Sequence, residues 1–164
     1  MQIAVFSDTH DNLDATKIAL EQVKAKDITH ALHLGDFTSP PTIMLLAESG
    51  LQWTCVWGNC DGDKLLSYRR VEHMGTMDFA NGDFREHEVG GKKLFLTHYP
   101  EIARIAALSG QYDAVFHGHN HQAATETVGK TLLANPGELT GIRFGKPSYG
   151  IYTPDENSFE IIWL

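Results

Sequence analysis

Five short apolar runs in this 164-residue chain each end in a turn that carries a side chain able to bind metal. Gln2 to Phe6 leads into Asp8-Thr9-His10, Ala31 to Leu34 into Gly35-Asp36, and Thr54 to Trp57 into Gly58-Asn59. Lys93 to Thr97 leads into His98, and Ala114-Val115-Phe116 into His117-Gly118-His119-Asn120-His121. Runs of this length read as strands that deliver their last residues to a sheet edge. In α/β sheets ligands gather beyond the carboxyl ends of the strands, so five separate loops are expected to converge on one place. The last loop is the densest, with three imidazoles around Gly118, where the absent side chain lets the backbone bend. Neutral imidazole binds zinc, manganese, iron and nickel well, which makes a metal site the first hypothesis. A lone loop histidine is more often an ordinary surface residue; three around one glycine are not.

Between the turns, the chain alternates strand and helix. Asp11 or Asn12 can cap a helix whose apolar positions Leu13, Ala19, Leu20 and Val23 share a face. A second helix opens at Pro40-Pro41 and offers Ile43, Leu45, Leu46 and Ala47; a third is expected from Asp61 to Arg70. Three such units predict a parallel sheet covered by helices. From Met77 the pattern becomes antiparallel, with one hairpin expected at Asn81-Gly82 and another at Gly90-Gly91. A short helix from Pro100 to Leu108 follows His98. Ala123 to Val128 and Thr131 to Ala134 turn about Gly129-Lys130, and Tyr149 to Tyr152 pairs with Phe159 to Trp163. Two sheets packed face to face with helices outside are inferred, in one domain over residues 1–164.

Composition narrows the function classes. A hydrophobic content of 42% supports a real core. The net charge of -8 argues against a grip on long nucleic acid, which needs a basic face. Small charged substrates remain open, because bound dications would make a pocket locally positive on an acidic body. No signal peptide is visible, and no apolar run reaches the roughly 18 residues needed to span a bilayer. With only Cys55 and Cys60, no disulfide framework or paired-cysteine zinc site is indicated. A cytoplasmic protein without membrane contact is expected.

The blocks Asp8-x-His10, Gly35-Asp36, Gly58-Asn59, His98 and Gly118-His119-x-His121 resemble, in this order and over nearly the whole chain, the calcineurin-like metallophosphoesterases. Any one block is weak evidence; the ordered set is specific. Large insertions are absent, and Gly58-Asn59-Cys60-Asp61 stands where the wider family has Gly-Asn-His followed by an acid. In this the chain is similar to the small single-domain YfcE-type phosphodiesterases, as it is in Asn135-Pro136-Gly137 and Arg143. Glu138 departs from the serine usual in that branch.

The resemblance implies a four-layer α/β/β/α sandwich of two mixed sheets flanked by helices. It implies two divalent metal ions per chain, one held by Asp8, His10, Asp36 and His121, the other by Asp36, Asn59, His98 and His119. Asp36 would bridge them, since its two oxygens can bind both ions. Imidazole-rich sites favour borderline transition metals, which puts manganese or nickel first and zinc, iron or cobalt after them. The expected catalytic residues are Asp36, Asn59, Cys60, Asp61 and His98. The implied reaction is hydrolysis of a small phosphate diester by in-line attack of a hydroxide bridging the two ions. The alternatives are a phosphomonoesterase on the same site and a protein-binding scaffold like the retromer subunit of this fold. Expected partners are the small ester and, as an open alternative, further copies of the chain in a homo-oligomer.

Among the remaining residues, Cys60 donates a proton weakly where the wider family has histidine, and its alternative role is to fill space. His33 is expected in the core or supporting a ligand, and His30, His73 and His87 at the surface. His117 supports a ligand or lines the pocket. Arg143 contacts phosphate through its planar fork or forms a structural ion pair.

Overall fold

A computed structural model describes residues 1–164. Strands β1 (Ile3–Phe6), β2 (His30–His33), β3 (Gln52–Cys55) and β4 (Met77–Phe79) pair in parallel, each with the next. Helices α1 (Leu13–Lys24), α2 (Pro40–Ala47) and α3 (Lys64–Val71) connect them in turn. Asn12 caps α1 by accepting from the Ala15 N–H at 3.1 Å, and Pro40-Pro41 opens α2, both as the sequence predicts. Two later strands complete the first sheet on the other side of β1.

The second sheet takes β5 (Phe84–Val89), β6 (Lys92–Thr97), β7 (Ala114–Phe116), β8 (Ala124–Val128) and β9 (Thr131–Asn135), in the order β5-β6-β7-β9-β8. Its central pairs are parallel and its outer pairs antiparallel. Helix α4 (Pro100–Ser109) links β6 to β7. Strands β10 (Ser148–Thr153) and β11 (Ser158–Trp163) then return to the first sheet, whose order is β11-β10-β1-β2-β3-β4. The fold is the expected sandwich of two mixed sheets and four helices.

The period-2 alternation of the strands separates three apolar layers. In β1, Ala4 and Phe6 face α1 and α2, where they meet Leu20, Val23, Ile43 and Leu46. Ile3 and Val5 face the other sheet and meet Leu94, Leu96 and Phe116. Strand β6 splits the same way, since its Phe95 turns outward to Ala103, Ala106 and Ala107 of α4. Both sheets are therefore buried on two sides at their centres, which is why their central strands are nearly continuous apolar runs. No helix is long and apolar enough to cross a membrane.

Three expectations need correction. Asn81-Gly82 does not close a hairpin: β4 runs parallel to β3, and the segment crosses from one sheet to the other. The tight hairpin turn needs positive φ at both central residues, which Gly90 and Gly91 adopt and Asn81 and Gly82 do not. Bonds from Trp53 N to Thr76 O and from Ala80 N to Cys55 O bind the β4 segment to β3 instead. The third helix starts at Lys64 behind an Asp63 cap, leaving Asp61 in the loop. His30 and His73 are exposed, whereas His87 is half-buried.

Trp53 fastens the helical layer to the first sheet. It is 2% exposed, its ring meets Phe6 edge-on with centroids 5.4 Å apart, and its Nε1–H donates to Leu46 O at 2.9 Å. Trp53→Ala is expected to cost about 3–5 kcal/mol of stability in urea unfolding. A loss below about 1 kcal/mol would mean that this layer does not hold the sheet as described.

Candidate metal centre

The five predicted loops meet at one edge, where backbone hydrogen bonds tie them together. Asp8 N donates to Gly35 O and His10 N to Asp36 O, both at 3.1 Å, and Gly118 N donates to His98 O at 3.2 Å. The loops after β2 and β3 touch backbone to backbone: a Cβ on Gly35 would lie 2.5 Å from Gly58 N, so no larger residue fits. Asp8, His10, Asp36, His119 and His121 all adopt positive φ, between 40 and 72°. Non-glycine residues rarely adopt that conformation, and such strain collects where surrounding structure enforces it for function.

Asp61 does the enforcing at two of these loops. One of its oxygens accepts from Asp36 N at 3.1 Å and Gly58 N at 2.6 Å, and the other from Thr38 N at 3.0 Å. Burial raises its pKa and the three amides oppose that rise. With both oxygens engaged by backbone, Asp61 positions the loops on which Asp36 and Asn59 sit.

The side chains form two groups that share Asp36. In one, His121 Nε2 lies 3.3 Å and His10 Nε2 3.8 Å from Asp8 Oδ1, and His10 Nε2 is 3.4 Å from Asp36 Oδ2. In the other, His98 Nε2 lies 3.4 Å from the same Asp36 oxygen and 3.0 Å from Asn59 Oδ1, which is 2.8 Å from His119 Nδ1. A single oxygen of Asp36 thus faces both groups, because Oδ1 accepts the Cys60 N–H at 2.8 Å. All seven expected ligands are brought together.

Their outward atoms are aimed from behind. His98 Nδ1–H donates to Leu34 O at 2.8 Å, which leaves its Nε2 lone pair facing the group. His121 Nδ1–H donates to Glu138 Oε2 at 2.6 Å with the same effect. Ser7 Oγ–H donates to Asp8 Oδ2 at 2.6 Å, so Oδ1 is the free oxygen.

Burial opposes the charge on Asp36, but His98 and the Cys60 amide outweigh it and hold the pKa well below the usual carboxylate range. The Asp8 carboxylate raises His10 against the effect of burial. His98 is also raised, since Asp36 and Asp8 overcome its burial.

This arrangement fits cations. Asp8 Oδ1 and His10 Nε2 are buried without any hydrogen-bond partner, which costs free energy unless a cation or water meets them. Asp8, His10 and His121 converge closely enough to share an ion, as do Asp8, Asp36 and His98. The donor set of carboxylate, imidazole and amide oxygen suits borderline dications.

The ligands open onto a cavity of about 240 Å³ that is also lined by Cys60, Thr140, Ile142 and Arg143. Burial first, then the Asp36 charge, pushes the Cys60 thiol up to about 11. A larger depression of about 650 Å³ between α3 and the sheet crossover contains no histidine or cysteine, so size does not mark the site. Arg143 forms no ion pair and is exposed at the rim. His117 stands apart from the ligands: its Nδ1 lies 3.0 Å from Gly118 O, and burial lowers its pKa. His33 is fully buried, stacked on Phe37 with ring centroids 3.7 Å apart, and accepts the Gly35 N–H at 3.2 Å.

Sequence reasoning missed the partnership of Glu138 with His121, and it missed Thr140, whose buried hydroxyl at the cavity has no partner. The only signal was the departure of Glu138 from the serine usual after Asn135-Pro136-Gly137.

Residues 1–157 match the model of the calcineurin-like phosphoesterase superfamily domain. A phosphodiesterase of Methanocaldococcus jannaschii is 30% identical over 166 residues, covering 100% of this chain and 99% of the relative. A solved archaeal phosphodiesterase superposes with a TM-score of 0.92 at 30% identity, covering 100% of both chains. The Yfce phosphoesterase of E. coli superposes at 0.72 with 22% identity, covering 99% of this chain and 98% of that one, a likeness of fold. With the family's domain spanning nearly its whole length, the chain belongs to the calcineurin-like phosphoesterase superfamily.

Proposed function

We propose that this protein is a metal-dependent phosphodiesterase that hydrolyses a small phosphate diester. The observation that carries the reading is the pair of donor groups sharing one Asp36 oxygen, with Asp8 Oδ1 and His10 Nε2 buried and partnerless between them. Asp8, His10, Asp36 and His121 would hold one dication; Asp36, Asn59, His98 and His119 would hold the other. Bound, two dications supply positive charge for the phosphoryl oxygens and a water of lowered pKa as nucleophile for in-line displacement.

The chain's own groups set the balance of charge. Asp8 and Asp36 bring -2 against +4, because Asn59 contributes a neutral oxygen, and the surplus attracts an anionic ester. Asn59 is free to do so because its Nδ2 donates to Cys60 Sγ at 3.2 Å, turning Oδ1 toward the ligands. Arg143 offers a free guanidinium on the cavity wall, able to hold phosphoryl oxygens. The small cavity and the acidic body favour a compact substrate over long nucleic acid. The scaffold reading is weaker, since a protein-binding surface has no need of five strained ligand residues and orphaned donors. Paired rates on monoesters and diesters, beside metal analysis, decide between diesterase and monoesterase.

Excess chelator is expected to abolish hydrolysis, and manganese, nickel, cobalt or iron to restore it better than magnesium. Full activity in chelator, with no metal found by elemental analysis, would sink the reading.

Asp36→Asn is expected to lower metal content and turnover far more than His117→Ala, because it removes the oxygen that both donor groups share. The His117 change is expected to stay within about 10–100-fold, typical of groups that support a ligand. Asp36→Asn with two bound ions and normal turnover would refute the assignment.

Cys60 decides how the leaving oxygen is protonated. With a weak thiol donor there, activated aryl diesters are expected to react much faster than alkyl ones. General acid catalysis is worth about 10²–10⁴-fold, so Cys60→His should flatten the dependence on leaving-group pKa and raise activity on poor leaving groups. Identical slopes for both proteins at equal metal content would show that Cys60 only fills space.

A further inference from the structure

We infer that Glu138 is a positioning residue that couples the loop Gly141 to Lys146 to the ligand His121, so that metal occupancy and loop order rise together. This rests on the metal-binding reading above and goes beyond it. Glu138 is 1% exposed, and its two oxygens serve three donors. Oε2 accepts from His121 Nδ1 at 2.6 Å and from Arg143 N at 3.3 Å; Oε1 accepts from Phe144 N at 2.7 Å.

The stem that carries this carboxylate is fixed independently of the loop. Ser148 N donates to Glu138 O at 2.9 Å, Leu139 N to Ser7 O at 3.2 Å, and Thr140 N to Asp8 O at 2.9 Å. Beyond Thr140 the support ends. Ile142 is 78% and Phe144 55% exposed, and glycines 141 and 145 hold positive φ at either side of the tip. Two backbone amides of the tip, those of Arg143 and Phe144, reach back to Glu138. One buried side chain therefore ties the middle of the tip to its stem, while Lys146 at the far end rests over the Trp163 ring.

The same side chain supports His121, whose Nε2 points at Asp8 Oδ1, 3.3 Å away. A cation on Nε2 would fix the imidazole plane and polarise its Nδ1–H toward Glu138, which holds the carboxylate where the Arg143 and Phe144 amides need it. Coupling between two binding events is reciprocal, so an ordered loop also strengthens the ion's hold. Ile142 and Arg143 line the cavity, so loop order sets the wall that a substrate meets. A serine at position 138 is too short to reach His121 and the tip at once, which makes the device particular to glutamate here.

The test reads hydrogen exchange at the Arg143 and Phe144 amides of the wild-type protein, with and without manganese, beside manganese affinity by calorimetry for wild type and Glu138→Gln. In the wild type, manganese is expected to slow exchange at both amides by about 5–150-fold, the usual range of coupling between sites. Glu138→Gln keeps the shape but leaves one acceptor oxygen for three donors. Its manganese affinity is expected to fall about 10–100-fold, and its two amides to exchange quickly with or without the ion. Wild-type protein that binds manganese with no change at these amides overturns the coupling and leaves the proposed function standing. Wild-type affinity and a metal-protected loop in Glu138→Gln overturn it as well. A wild-type protein with no manganese affinity removes both readings together.

Discussion

The structure depends on one buried carboxylate. Asp36 has one oxygen committed to the Cys60 amide and the other turned toward His10 and His98, each 3.4 Å away. Burying a charge in this way is costly unless opposite charge compensates it, and two buried atoms beside it, Asp8 Oδ1 and His10 Nε2, have no partner at all. The cost is borne by the rest of the fold. Two sheets buried on both sides and three apolar layers supply the cohesion that keeps five ligands in left-handed backbone conformations. Bound dications would turn the same feature from a liability into the strongest local interaction.

Rigidity around Asp36 comes from backbone contacts more than from side-chain packing. Gly35 and Gly58 let two loops meet without side chains between them, and Asp61 gathers amides from both loops on one carboxylate. The histidines are oriented by different partners, a main-chain carbonyl for His98 and the Glu138 carboxylate for His121. One side of the centre is thus fastened to strand ends. The other is linked through Glu138 to an exposed loop whose Ile142 and Arg143 line the cavity.

Membership of the calcineurin-like phosphoesterases fixes the framework, and the local departures define this chain within it. At the position where the wider family carries histidine stands the Cys60 thiol, whose pKa burial and the Asp36 charge raise. Thr140 and Arg143 line the same cavity as Cys60.

Much of this was legible in the sequence because it is local. A short apolar run followed by a polar turn specifies a strand and its carboxyl-end loop within a dozen residues, so the five converging loops and the two-sheet fold could be read from the pattern, whereas the set of seven expected ligands came from the family resemblance. What was not legible depends on contacts between distant segments. Asn81-Gly82 has the composition of a hairpin, yet the bonds of β4 to β3 carry it across to the second sheet. Asp61 looks like an active-site acid, and only the approach of Gly58, Asp36 and Thr38 shows that its oxygens are engaged by amides. Which Asp36 oxygen faces both ligand groups was set by the Cys60 amide, and what Glu138 does was set by His121, 17 residues away in sequence. Residue type and spacing determined which groups this protein brings to the sheet edge. Tertiary structure alone decided which atom of each is left free, because a hydrogen bond from elsewhere in the chain must first occupy the other.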